Sequence, residues 1–509
     1  MRNKTVIILV TILVCNVLAI AQVQSLSHSA LERSAKSTSS APLQFQTADY
    51  AAGPVPYAIA SGDFNGDGYL DIVTANLGNA DSGKGNNTIS VLLNNGNGTF
   101  APAVSYTVGY EPDRIVVGDF HGTGKPDIVV ANSADQSVGL LTNKGKGTFG
   151  TQKVIENFSC TGLDVGDFNG DGKLDLACSQ PSSAASGAVL VMLGNGNGTF
   201  QPPVSYALPS GANNVIVADL RQNGKLDLIV PGAGTAEGQI FDDVYILLGN
   251  GDGTFESPVG YIAQANPESV AVGDFNGDGK LDLAVLNLCG TDPDSCSFST
   301  LVLLLGNGDG TFQPVRMPWF DLSTSWKVVA ADFSGNGELD LAVANSSSST
   351  VTVFINTPGN DGSFPTYQTW SAGYAPIDLV AGRFGPGGNG SADMVLANYS
   401  DYAGDSITAM LNQAATKITL ESTPNPANSG QSVTFSATVQ TALAGVGTPT
   451  GTVTFENGSK KLGTAKLVNG VAVLTCKKLA AGTNNITAVY SGDNTFNPDT
   501  SVVLVQTVN

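Results

Sequence analysis

Histidine is almost missing from this chain: among 509 residues only His28 and His121 occur. That scarcity removes most chemistry in which imidazole serves as base or metal ligand. No G-x-S-x-G elbow, H-E-x-x-H pair or phosphate-binding G-x-x-x-x-G-K-[ST] loop is present. Basic residues are also few, 23 against 43 acidic, leaving a net charge of −20. Nucleic-acid phosphates demand stripes of Lys and Arg, so DNA and RNA are excluded as partners.

Long apolar runs are equally scarce, and the only one is N-terminal. Arg2 and Lys4 precede a run from Val6 to Ile20, and Ala19-Ile20-Ala21 stands before Gln22. This is the three-part pattern of an export signal over residues 1–21, cleaved after Ala21. No other stretch is long enough to span a bilayer, so the mature chain is expected to be secreted or cell-surface with no transmembrane segment. Residues 22–41 are rich in Ser and Ala without alternation and read as a flexible leader. Five cysteines remain beyond the signal. Cys160 with Cys178, and Cys289 with Cys296, are spaced to pair, which would leave Cys476 over.

What is abundant is one short frame. Asp63-Phe64-Asn65-Gly66-Asp67-Gly68-Tyr69-Leu70-Asp71 places side-chain oxygens at positions 1, 3, 5 and 9 (Asp63, Asn65, Asp67, Asp71) and a main-chain carbonyl at Tyr69. Hard oxygens at alternate positions suit Ca²⁺. The frame returns with Asp167, Asn169, Asp171, Lys173 and Asp175, and with Asp274, Asn276, Asp278, Lys280 and Asp282. A fourth version carries Asp332, Ser334, Asn336, Glu338 and Asp340. Lys173, Lys280 and Glu338 stand at position 7, where only the main-chain carbonyl would ligate. Two frames lose ligands: Asp119 to Asp127 has His121 and Thr123, and Asp219 to Asp227 has Arg221 and Asn223. In a seventh, Arg383 replaces the first Asp and Asp393 closes the loop. Calcium is therefore expected at four loops, more weakly at two, and not at the seventh. There Arg383 is expected to pair with Asp393 in place of the ion.

An EF-hand needs a bidentate Glu at position 12 and a following helix. Position 12 is instead Thr74, Val130, Cys178, Val230, Val285 or Val343, and β-rich residues follow. The loops thus join strands. They start at 63, 119, 167, 219, 274, 332 and 383, a period that signals stacked units. Each unit has room for four short strands, with Asn-Gly turns such as Asn95-Gly96 between the last two. Phe45, Phe100, Phe149, Phe200, Phe255, Phe312 and Phe364 each lead a strand ahead of a loop. The first such strand precedes loop one and none follows loop seven. The strand around Phe45 is therefore expected to complete the last unit and close a ring, leaving no free edge.

The loop sequence, with Gly-Asn-Gly-Asp-Gly-Thr-Phe turns, resembles FG-GAP/VCBS repeats over residues 42–413. That resemblance implies a seven-bladed β-propeller of the integrin-α type, calcium in the loops, and a role in adhesion or binding. Residues 416–509 change character. Alternation in Val433–Val439 and Gly451–Phe455, with Ile486 to Asp493, resembles a bacterial Ig-like β-sandwich. Asp493 reads as a turn residue. The fold class is thus all-β, a propeller followed by a sandwich.

The calcium loops share one end of the units. The opposite end carries the longer connections, Leu77–Asn87, Gln180–Gly187, Pro231–Asp243 and Asn287–Thr300. Trp319, Trp326 and Trp370 flank connections there, marking an expected ligand face or, alternatively, packing between blades. The expected function is non-enzymatic binding of an extracellular carbohydrate or protein. The alternative is a polysaccharide lyase or hydrolase on the same scaffold.

Overall fold

The computed structural model describes residues 43–509 apart from 79–86, 181–186, 234, 237–238, 241–242, 290–297, 315–320, 360, 386–390, 400–404, 413–415, 442–447, 478 and 494–495. The described chain is all-β, without a helix. Blade one comprises Pro56–Gly62, Asp71–Asn76, Thr88–Leu92 and Val104–Thr107, paired antiparallel in that order from inside to outside. Six further sheets repeat this order. Their inner strands are Pro112–Gly118, Gly162–Gly166, Ile216–Ala218, Pro267–Gly273, Ser325–Ala331 and Pro376–Gly382.

The last sheet is completed from the other end of the chain. Phe45–Ala51 pairs antiparallel with Ser406–Asn412 as the outer strand of blade seven. Ile59, Ile72 and Phe100 of blade one pack with Phe384, Val395 and Ile407 of blade seven in a single core cluster. The inner strands of these two blades lie side by side, and every other neighbouring pair of blades is in contact around the ring, blades four and five through Asp227–Ala233 and Pro267–Gly273. The ring is closed, and blade seven has its outer strand from the start of the described chain.

The second strand of each blade explains why the sequence reads as short apolar runs. Asp71–Asn76 is buried at every residue because both faces pack against adjacent blades. The loop Phe at position 2 fills the same interfaces. Phe64 meets Phe149 edge to face with centroids 5.3 Å apart, Phe120 meets Phe200 at 5.8 Å, and Phe168 meets Phe255 at 5.4 Å. Such pairs contribute about 0.5–1.5 kcal/mol beyond area burial. The phenylalanine leading each outer strand therefore locks its blade to the loop of the blade before.

Residues 416–509 form two sheets. Thr416–Thr423, Val433–Thr441 and Val471–Cys476 make one, and the other is built around Thr452–Asn457 and Gly482–Tyr490. Phe435, Phe455, Ile486 and Tyr490 fill the space between them. Asp493 accepts the amides of Thr450 and Phe496, which is a turn role.

Cys160 and Cys178 form a disulfide at the blade-three hairpin. Cys289 is disulfide-bonded as well, and Cys476 is a free thiol. Cys296, proposed as the partner of Cys289, lies outside the described residues, as do residues 1–42 and most of the four long connections. Among the described residues no helix is long and apolar enough to cross a membrane.

Candidate functional site

The inner strands end in the repeated loops, and there the structure shows a common device. The Asp at position 9 is buried, and both its oxygens accept backbone amides. In loop one Asp71 takes the amide of Phe64 at 2.9 Å and that of Asn94 at 2.7 Å. Asp175 takes Phe168 and Gly194, and Asp282 takes Phe275 and Gly306. Asp340 takes Ser334 and Asn356, one residue later in the loop. This carboxylate ties the start of its loop to the end of the third strand, so it is structural whether or not an ion is bound.

Position 1 organises the rest. The Asp63 carboxylate accepts the amides of Gly66, Asp67 and Gly68. Gly66 and Gly68 stand at φ of 80° and 88°, which lets the backbone curl around that carboxylate. Asn65 and Asp67 each accept an amide two residues on. Burial raises Asp71 to about 6, with Asp67 and Asp63 adding to the shift. Asp175 and Asp282 are raised to about 6 in the same way, by burial first and then by their loop carboxylates. The donor set of loops one, three and five is therefore all hard oxygen with gathered like charge, which suits a divalent cation. The side chains are turned onto loop amides as they stand. Among the described residues no three His, Cys, Asp or Glu side chains gather as a metal-holding group.

Loops two and four differ at position 3. His121 Nδ1 lies 2.7 Å from Asp127 Oδ2, and Arg221 Nη2 donates to Asp227 Oδ1 at 2.7 Å and to the Gly249 carbonyl at 2.5 Å. Each base reaches back to the position-9 carboxylate that Asn leaves alone in loops one, three and five. His121 is thus a loop tie, largely withdrawn from solvent. The expectation for loop seven is corrected. Asp393 is held by the amides of Phe384, Gly385 and Asn412, with Arg383 only a minor electrostatic neighbour. The guanidinium that pairs with a loop carboxylate is Arg221, at position 3 of loop four.

At the opposite end of the inner strands the ring opens into a cavity of about 410 Å³. All seven blades reach it, through residues such as Tyr57, Arg114, Leu163, Glu268 and Asp378 on the inner strands and Asn214 just before that of blade four. Trp326 and Lys327 of blade six also line it. Some of these side chains staple neighbouring blades. Arg114 Nε donates to the Thr161 carbonyl at 2.5 Å, and its guanidinium lies 5.6 Å from the Tyr57 ring centroid. Asp378 accepts the amide of Ile59 at 3.0 Å and that of Leu379 at 2.9 Å, with Lys327 Nζ at 3.5 Å.

Three groups in the cavity are left over. Among the described residues the Glu268 carboxyl has no hydrogen-bond or ion-pair partner, and burial pushes it up to about 7, against the pull of Arg114 and Lys327. Asn214 spends its oxygen on the amide of Val215 and keeps its NH₂ unused. Among the described residues the Trp326 indole, too, has neither a hydrogen bond nor a ring contact. A cavity with a few convergent polar groups and a displaced titration is the ordinary form of a small-molecule site.

Of the two tryptophans among the described residues, Trp326 lines this cavity and Trp370 does not. Trp370 lies on an outer strand, edge to face with Phe45 at 5.0 Å, and packs blade six against the closing strand. Trp319 lies outside the described residues. Arg114, Asn214, Glu268, Lys327 and Asp378 were not foreseen. Their signal is a polar residue within two of the Pro, or its equivalent, that opens an otherwise apolar inner strand, as in Pro112-Asp113-Arg114 and Pro267-Glu268.

Fold and loops together define a ring of four-stranded β-sheets joined to a β-sandwich. The chain carries FG-GAP-like repeats, matched at residues 63–130, 119–178, 182–230 and 235–285, and a bacterial Ig-like domain (group 3) at 418–509. Blades six and seven lie beyond the matched repeats yet have the same strand order. Repeats and Ig-like domain together fit an extracellular adhesion or binding protein. No curated protein matches the chain. Among solved structures it is similar to BBS1N in complex with ARL6DN, soaked with lead, at 12% identity and TM-score 0.48, covering 72% of this chain and 96% of that one. It is also similar to the PQQ-bound aldose sugar dehydrogenase of Streptomyces coelicolor, at 11% identity and TM-score 0.37, covering 56% and 90%. Likenesses of this degree carry no argument about this chain.

Proposed function

We propose that the protein is an exported, non-catalytic binding protein that receives an extracellular ligand, carbohydrate or protein, at the open end of its propeller ring. The observation that carries this reading is the cavity, where the Asn214 NH₂, the Glu268 carboxyl and the Trp326 indole converge without a partner among the described residues. Loops on a rigid scaffold are the usual place for recognition, and here the rigid scaffold itself supplies the floor.

Calcium belongs to the other end. Asp63, Asn65, Asp67 and Asp71 would hold one ion with the Tyr69 carbonyl, and loops three and five would do the same with their equivalents. Asp332, Ser334, Asn336 and Asp340, with the Glu338 carbonyl, are a fourth set. Bound calcium would neutralise the gathered carboxylates and stiffen the hairpins.

Absence of catalysis is supported by the state of the carboxylates. Two-carboxylate hydrolysis needs a free acid and a free base flanking the substrate. Both Asp378 oxygens are engaged by amides, which leaves Glu268 alone. The test is a screen of the full mature chain against glycan and matrix-protein arrays, with polysaccharide turnover assayed alongside. Capture that is lost in a folded Trp326→Ala variant is the expected result. Capture unchanged in that variant, or turnover of a polysaccharide, would overturn the reading.

A further inference from the structure

The unpartnered cavity groups come from three consecutive blades: Asn214 from blade four, Glu268 from blade five and Trp326 from blade six. All three line the one cavity, and Asn213, next to Asn214, donates to Asn266 and Pro267 of the following blade, so these side chains form one arc of the cavity wall. The arc offers an acceptor at Glu268, donors at the Asn214 amide, and an aromatic face on Trp326 that no ring or cation covers.

Charge narrows the ligand. Arg114 and Lys327 stand opposite in sign to Glu268 and Asp378 around the same space. An anion entering the cavity meets two carboxylates, and a cation meets a guanidinium and an ammonium. A wholly apolar ligand would cover Glu268 and Asn214 without giving either a hydrogen bond, which is the costly outcome for buried polar groups. A neutral ligand that both donates and accepts hydrogen bonds, and has a flat C–H face for the indole, satisfies every member of the arc. The volume, about 410 Å³, lies at the small end of ligand pockets and suits one ring or two, not a threaded polymer.

We propose that the cavity binds a single neutral pyranose, its C–H face stacked on Trp326, its hydroxyls donating to Glu268 and accepting from the Asn214 amide. The proposal rests on the reading of this cavity as the ligand site and adds the class of ligand. A terminal sugar of an extracellular glycan presents this chemistry, as does a free monosaccharide, and both are covered by the same contacts.

The test titrates the full mature chain with the neutral methyl glycosides of glucose, galactose, mannose and N-acetylglucosamine. Glucuronate and glucosamine serve as charged comparators. Binding is followed by calorimetry and by saturation-transfer NMR. At least one neutral glycoside is expected to bind. Trp326→Ala and Glu268→Gln should each weaken it at least about tenfold, while Trp326→Phe, which keeps an aromatic face, should retain most of the affinity. Melting curves of all variants establish that they are folded. A free-sugar site is distinguished from a glycan-terminus site by whether the reducing methyl group must be extended for tight binding. Neutral probes that bind equally to parent and Trp326→Ala would overturn the proposal, as would no binding by any of them. Tighter binding of a charged comparator, lost in Trp326→Ala, would overturn the sugar class while leaving the cavity as the ligand site.

Discussion

The two ends of the inner strands obey opposite rules. At the loop end one nine-residue frame recurs, and its last Asp makes the same pair of amide bonds in blade after blade. At the cavity end the blades share no such frame, and the residues they bring to the cavity are as different as Tyr57, Arg114, Asn214, Glu268, Trp326 and Asp378. Repetition follows from a shared architectural task, because every blade needs the same tie between its loop and its third strand. Divergence at the other end makes the ring lopsided in charge and shape, which is what recognition of one ligand in one orientation requires. A second contrast lies within the loop end. Where position 3 is Asn the position-9 carboxylate has no cationic partner, and Lys173 and Lys280 pair with the position-5 carboxylates instead, whereas His121 and Arg221 each tie back to position 9.

The comparison breaks most completely if the ring opens. Removing residues 43–51 takes away the outer strand of blade seven and the packing of Phe45 against Trp370. Loss of cooperative unfolding, or association through the exposed edge of Ser406–Asn412, is the expected outcome in calorimetry and light scattering. Removing residues 25–40 instead should change nothing. A ring that melts normally without the closing strand would mean that closure does not depend on it.

The contrast within the loop end is sharpened by Arg221→Asn, which gives loop four the position-3 residue of loops one, three and five. One additional calcium ion per chain is expected in a metal titration of the folded variant. An unchanged count would mean that Arg221 is not what keeps the ion out.

A smaller effect separates the cavity from the loops by pH. Glu268 is raised to about 7 in the folded chain, above its value of 4.5 in an unfolded one. Its contribution to stability is fully present below about pH 4.5 and is lost as pH rises through about 7. Glu268→Gln removes that loss. The variant should match the parent at acid pH and exceed it by roughly 1–2 kcal/mol at pH 8, read from denaturant melts. A difference of the opposite sign, or none, would place Glu268 in contact with a cation.

Much of this molecule was legible before any coordinates. Loops that repeat are detectable because the same backbone task imposes the same residues, and the spacing of Phe45 to Phe364 carried the offset that closes the ring. The sandwich was visible from strict alternation around Phe435 and Phe455. The cavity was not legible, because Arg114, Asn214 and Glu268 each occur once, on strands far apart in sequence, and only ring closure brings them together. For Trp370 the second of its two readings holds, packing between blades, and the ring it packs on, Phe45, arrives from the far end of the chain. His121 and Arg221 were read as lost ligands, whereas the curl of the loop turns each onto its own position-9 carboxylate.

The division of labour between the two ends is tested most directly by calorimetric melting of the mature chain in calcium and in chelator. Ions held by the loops stabilise the propeller by about 2.7 kcal/mol per site at a hundredfold excess over Kd. On chelation the propeller transition is therefore expected to fall by several degrees while the Ig-like transition stays in place. Transitions that coincide with and without calcium would contradict the account.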